Sequence, residues 1–309
     1  MLIISWRFGA STDQNTRGAL LQPTDHELKA IYEMPTRFRT LSQARHYFEL
    51  YCRIWVIPHR GIRSRFRGVP GSPDQLSTVV EHEITSNLSP RSEQAPMQYE
   101  TKQVSLLKWF KAFQPLLEYA HSSAGHATFP PATMLLFKYT SLEFIDASKL
   151  NFDEETGYDS YLDSMKSCIS LLQQVLDHED GQRNSRAPRT ARFAFELNYL
   201  PVLFLIAVKC RDFKTRRQSI KLLEMYPIRE GFWDSGRLVA IARSCMEIEE
   251  AGLSYDEFVP DEKRLRILGL ETQFSERKTI LKYIVPRVGN EEIRVISWPG
   301  ITVSPSGGD

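Results

Sequence analysis

The residues of this chain that could do chemistry are few, and most stand in incomplete patterns. His82 and Glu83, in VEHEITSN, open like a zinc-peptidase helix, in which two histidines four residues apart hold the metal and the glutamate polarises its water. Ser86 stands where the second histidine is needed, so the pair is read as part of a solvated helix face. His121 and His126 flank SSAG in a predicted loop with no cysteine or carboxylate beside them, and are not read as metal ligands. Four cysteines lie at 52, 168, 210 and 245 with no short spacing; they are expected to be buried free thiols in a reducing compartment. No glycine-rich phosphate loop and no G-x-S-x-G turn occurs. The acidic runs NFDEETGYD (151–159) and IEEAG (248–252) are read as a helix N-terminal region and a solvated helix end, and nothing singles out a catalytic carboxylate pair.

Basic residues cluster twice. HRGIRSRFRG (59–68) interleaves Phe66 with arginines, a texture that suits a phosphate backbone, a stacked base or an import signal, against the plainer reading of a solvated loop. CRDFKTRRQSIKLLEMYPIREGFWDS (210–235) opens with five Arg or Lys residues in twelve positions. Placed on a helix over 213–226, Phe213, Ile220, Leu223 and Met225 or Tyr226 face inward. Lys214, Arg217, Lys221 and Glu224 fall outside, so much of the positive charge is read as the wet face of an amphipathic helix. Pro227 stops that helix. Gly231 gives the chain freedom to turn, Asp234 or Ser235 caps the next helix, and Phe232 with Trp233 closes the corner. Local physics thus predicts a helix–corner–helix joint in preference to a binding site.

The elements that carry these residues are mostly helical. Thr24 followed by Glu27 marks a capping-box start. Apolar stripes predict helices over 40–55, 98–120, 131–148, 158–178, 193–210, 213–226 and 234–251, the last ended by Gly252. The cleanest stripe is Leu162, Met165, Ile169, Leu172 and Leu176. After Pro260 the texture alternates. RLRILGLETQF, RKTILKYIVPR and EEIRVISW, separated by turn residues, predict a small antiparallel meander. The expected fold is mainly α, a bundle of stacked antiparallel helix pairs ending in a C-terminal antiparallel β-meander. Its expected organisation is a poorly ordered N-terminus over 1–23 and a helical domain over 24–260 with loops at 59–75, 89–96 and 180–192. The meander packed on that domain covers 261–300, and a disordered tail covers 301–309.

The net charge of +1 over 309 residues excludes a whole-surface basic footprint. The apolar start MLIISWRFGAS is too short for a signal peptide core. LPVLFLIAV (200–208) is half the length of a membrane span and is read as a buried helix. An intracellular, soluble chain is expected.

LPVLFLIAVKCRDFKTRRQSIKLLEMYPIREGFWDS, followed by IARSCMEIEEAG, resembles the C-terminal regulatory part of fungal transcription factors of the six-cysteine binuclear zinc-cluster class. In that family an apolar helix runs into a Lys-Cys-Arg-Asp turn, here Lys209, Cys210, Arg211 and Asp212. A basic helix then leads to an Arg-Glu-Gly-aromatic-Trp-Asp corner, here Arg229, Glu230, Gly231, Trp233 and Asp234. PTRFRTLSQARHYFELY is similar to the family segment with a Phe before an Ala-Arg pair, here Phe38, Ala44 and Arg45, and LLKWFKAFQPLL to its Trp-containing helix. The likeness spans roughly 25–300. It implies that these signature residues are structural, and that the chain is the regulatory region without its DNA-reading module, from a shortened gene model or a relative that lost that reader. Family members hold two zinc ions with six clustered cysteines; the four here are too few and too dispersed. Zinc is therefore expected only with an N-terminal cluster, and this chain is not expected to bind DNA directly or to need a cofactor.

The resemblance implies a transcription-regulator-like protein in the nucleus, otherwise the cytoplasm. It would act through proteins of the transcription machinery or a small effector, without enzymatic activity and without a membrane. The alternatives are a helical interaction scaffold unrelated to transcription and, behind it, an enzyme with a dispersed active site.

Overall fold

A computed structural model describes residues 23–56, 94–150, 155–181, 192–193, 199–230 and 233–299. The His82–Glu83 pair, the basic loop 59–75 and the termini lie outside these residues, as do Gly231 and Phe232 of the corner and nearly all of the loop 180–192. The described residues up to His126 form one compact unit and those from Ala127 another. The fold is mainly α with an antiparallel C-terminal meander, as the sequence predicts.

In the first unit, α1 (Asp25–Tyr32) starts with the predicted capping box. The Thr24 side chain accepts from the Glu27 N–H, and Glu27 reaches back to the Thr24 N–H at 2.9 Å. Helix α2 (Leu41–Tyr51) buries Ala44, Phe48 and Tyr51, and runs into one π-helical turn over Cys52–Val56. Helix α3 (Gln94–Ala120) begins inside the stretch 89–96 that was expected to be loop. Trp109 is its anchor. The indole is fully buried, with Phe48 and Phe113 each 4.9 Å away by ring centroid, and its Nε1–H donates to the Ala44 carbonyl at 2.8 Å. Pro115 has no N–H, so the Lys111 carbonyl one turn back lacks its helical donor. The neighbouring Ala112 carbonyl accepts from the Phe38 N–H at 3.0 Å. Phe38, Ala44 and the tryptophan helix of the resemblance therefore meet around one buried ring.

In the second unit, α4 (Phe129–Leu150) packs with α5 (Leu162–Gly181) through the predicted stripe, with Met165, Ile169, Leu172 and Leu176 buried. A 3₁₀ segment over Glu155–Tyr161 leads into α5. The helix expected from 193 starts later. Arg192–Phe193 is a short strand, β1, and α6 covers Leu200–Lys209. Pro201 explains the late start, because a missing N–H is tolerated in a first turn and not in a helix interior. Helix α7 (Phe213–Met225) ends before Pro227. The corner that follows is a small sheet rather than a plain turn. β2 (Ile228–Glu230) pairs parallel with β1 and antiparallel with β3 (Trp233–Asp234). Asp234 caps α8 (Ser235–Glu249), accepting from the Arg237 N–H at 3.0 Å. Gly252, at φ +73°, turns the chain just beyond.

The meander consists of β4 (Arg266–Gln273), β5 (Lys278–Ile284) and β6 (Glu291–Ser297) in that order. Its inner face supplies Leu281, Tyr283 and Ile296 to one core with Val208 of α6, Ile220 of α7, and Ile241 and Cys245 of α8.

Candidate functional site

The sequence concentrates charge at the α6–α7 joint, and the structure buries much of it. Lys209 ends α6 and Asp212 caps α7, with Asp212 Oδ1 accepting from the Thr215 N–H at 2.9 Å. Between them the chain is extended at Cys210, and Arg211 turns inward with its side chain fully covered. Arg216, one turn into α7, is covered as well. Glu249, the last residue of α8, faces both guanidinium groups from 0 % exposure. Its Oε1 lies 3.0 Å from Arg211 Nη2 and accepts from the Leu265 N–H at 2.9 Å, while Oε2 accepts from Arg216 Nη2. Arg216 Nε donates to the Cys210 carbonyl at 2.8 Å, tying the joint to its own helix.

The network extends both ways. Glu155, on the 3₁₀ segment, accepts from Lys209 at 2.8 Å and from Arg211 at 3.1 Å. Glu250 pairs with Arg216 and Arg217, and the Arg217 guanidinium lies 4.5 Å from the centre of the Tyr255 ring. Arg264, on the approach to β4, reaches Asp159 at 2.8 Å. Burial pulls the Arg211 guanidinium below its ordinary range, with Glu249 opposing. Arg216 is also penalised by burial, but Glu249 and Glu250 outweigh it and raise its pKa. These cations and anions are mostly engaged with one another, although Arg211 Nε and Arg264 Nη1 are buried without a hydrogen-bond partner.

On the outer side of α7, Lys214, Lys221 and Glu224 are exposed as predicted and Arg217 is half-buried, while Arg216, which the sequence reading does not assign to that side, belongs to the core. One sequence expectation is corrected here: Glu249 and Glu250 do not form a solvated helix end, because the α8 terminus abuts the arginines of α7. On the inward side of α7, Ile220 and Leu223 are buried as predicted and Phe213 is half-buried; of the alternatives Met225 and Tyr226, Tyr226 is half-buried and Met225 is 37 % exposed.

The other signature residues lie along the same segment. Arg229 is exposed on β2, in register with Asp234, and Glu230 is in register with Trp233. Trp233 is buried, its ring 6.4 Å from Phe204 of α6. Sequence reading missed Glu155, Glu249 and Arg264 as parts of this joint. The one available signal was the excess of arginine over nearby acid in 209–217, which demands anions from elsewhere.

All four cysteines are free and buried. Burial pushes the Cys210 thiol up to about 11 and Cys245 up to about 12, and raises Cys168 as well. His121 and His126 are exposed. Among the described residues, no group of three His, Cys, Asp or Glu side chains could hold a metal ion, and no helix is long and apolar enough to cross a membrane. A groove of about 420 Å³ opens between α5 and α7. Ile169 and Leu222 form its floor, with Lys166, Gln173, Gln218 and Lys221 around them.

Over 111 residues, 33 % of this chain, the sequence is 36 % identical to the Aspercryptin biosynthesis cluster-specific transcription regulator atnN of Emericella nidulans. The match covers 18 % of that protein, so the chain corresponds to under a fifth of its length. No family model matches the chain, and no solved structure matches it.

Proposed function

We propose that this chain is a regulatory region of a fungal transcription factor of the binuclear zinc-cluster class, acting through protein or effector contacts and not through catalysis. The observation that carries this reading is the 36 % identity over 111 residues to a cluster-specific transcription regulator. The signature residues support it physically. Lys209, Arg211 and Asp212 organise a joint, and the titratable groups gathered there are engaged with one another. The groove between α5 and α7 supplies a surface for a small effector or a partner side chain, with two lysines at its rim and an aliphatic floor. The nucleus is the compartment this reading assigns, and a six-cysteine module would supply the zinc and the DNA reading.

The test has two arms. Fused to a heterologous DNA-reading domain, residues 1–309 should change reporter transcription, up or down, relative to the reader alone. No change at matched expression refutes the regulatory reading. Alone, the chain should bind DNA only weakly and lose that binding as salt rises. Sequence-specific binding at nanomolar concentration would overturn the view that it is not the DNA reader.

A further inference from the structure

The meander has two edges, and they differ. Along β4 the pairing with β5 shifts register between Ile267 and Gly269, so that edge is bulged. Along β6 the pairing with β5 is unbroken from Glu291 to Ser297, and among the described residues β6 pairs with no other strand. Natural sheets blunt their edges with bulges, proline, or charged and inward-pointing side chains. The sequence EEIRVIS has no proline and no bulge, and its one inner-face cation, Arg294, is neutralised by Glu247.

The free groups of this edge can be assigned. Beyond the strand end, the Trp298 N–H donates to the Arg277 carbonyl at 3.1 Å, so residue 298 points its backbone toward β5. By the two-residue alternation of an antiparallel ladder, 296, 294 and 292 do the same. The N–H and C=O groups of Glu291, Ile293, Val295 and Ser297 point away from the sheet. The side chains of these same residues lie on the outer face, where Ile293 is 61 % and Val295 60 % exposed. Val295 is in register with half-buried Ile280 of β5, while Ile293 is in register with Lys282, so the exposed aliphatic surface centres on Ile293, Val295 and Ile280.

We propose that β6 pairs antiparallel with β6 of a second copy of this chain, about a two-fold axis at Arg294, extending the meander to six strands. That register sets Glu291 opposite the partner's Ser297 and Ile293 opposite the partner's Val295. Each of the outward-pointing backbone groups then finds a partner, because residues of the same alternation meet. Apolar side chains face apolar ones and join the two aliphatic stripes into one. At each end, the outer face places Glu291 beside the partner's Ser297 with the partner's Lys278 one strand further, since Lys278 is in register with Ser297. Two strand spacings are about 10 Å between backbones, within the combined reach of a lysine and a glutamate. The two Arg294 side chains meet on the opposite face, each already paired with its own Glu247 at 2.6 Å, so ion pairs meet there instead of bare like charges. An isologous contact requires this self-complementarity, whereas a strand from an unrelated protein would have to reproduce it.

Sedimentation of the full chain should show a reversible dimer that grows with concentration. Val295→Pro removes only an outward N–H, which an edge strand tolerates. It should weaken the dimer roughly tenfold or more, since the symmetry removes two bonds, while leaving the melting temperature of the dilute protein within about 2 °C. Register is read by crosslinking. At the axis the two α-carbons are about 4.5 Å apart, so Arg294→Cys should form an intermolecular disulfide under mild oxidation. Ser297→Cys, about 20 Å from its symmetry mate, should not. The native thiols are buried and do not compete. A monomer at 100 µM overturns the proposal, as does a dimer indifferent to Val295→Pro or crosslinked equally by both cysteines. A strand or tail of other origin occupying the edge would appear as the first of these results.

Discussion

Replacing Glu249 by glutamine keeps its shape, removes one charge and probes the whole joint. The carboxylate sits at 0 % exposure between Arg211 and Arg216, whose side chains are 0 % and 1 % exposed. Glutamine retains an oxygen for the Leu265 N–H, but its amide nitrogen must then face a guanidinium. Two buried cations lose their shared anion, although Glu155 and Glu250 still hold one side of each. Removing one partner from a buried ion pair costs about 3–5 kcal/mol, because the remaining charge is left desolvated. For a chain of this size that corresponds to a fall in melting temperature of roughly 10 °C, followed by far-UV circular dichroism and confirmed by urea titration. Glu224→Gln is the control. Its pair with Arg243 is exposed, at 34 % and 56 %, and should cost under about 1 kcal/mol. The triple change Arg211→Met, Arg216→Met, Glu249→Leu removes the buried charges together and should be less destabilising than Glu249→Gln alone. The reasoning is refuted if Glu249→Gln melts within about 2 °C of the parent, or if the triple variant is the worse of the two.

Other expectations follow from single contacts. Asp212→Ala removes the α7 cap and should cost about 1 kcal/mol in urea unfolding, with Asp212→Asn recovering most of it. Trp109→Phe strips the donor from the buried Ala44 carbonyl, and the unfolding midpoint should fall by the equivalent of about 1–3 kcal/mol. The thiols give an alkaline effect. Burial raises Cys245 to about 12 and Cys210 to about 11, above the ordinary unfolded thiol value of about 8.5. Their contribution is complete below that unfolded value and is lost as pH rises toward the folded ones. Stability should therefore decline from about pH 9 upward, and Cys245→Ala should flatten the decline in urea titrations across pH 8–10.5.

Much of the local structure was legible along the chain because its causes are local. The Thr24–Glu27 capping box, the α5 stripe, the stop at Pro227, the Asp234 cap and the three strands of the meander each depend on residues within a turn or an alternation. Where a local rule was overlooked, the reading failed. Pro201 could have set the start of α6.

The character of the charged joint was another matter. A helical wheel sets Arg216 about 100° from Arg217, on the side of Phe213 and Ile220, but it cannot say that a guanidinium there is accepted into the core while Arg217 rests on Tyr255. That choice is made by Glu249 and Glu250, thirty-three and thirty-four residues further on, and by Glu155, fifty-six residues before Arg211. By itself the sequence determined the helices, their caps, the meander and the likeness to a class of regulators. Only the tertiary structure decided which charges are buried, because the cost of desolvating a guanidinium depends on what anion the rest of the chain brings beside it.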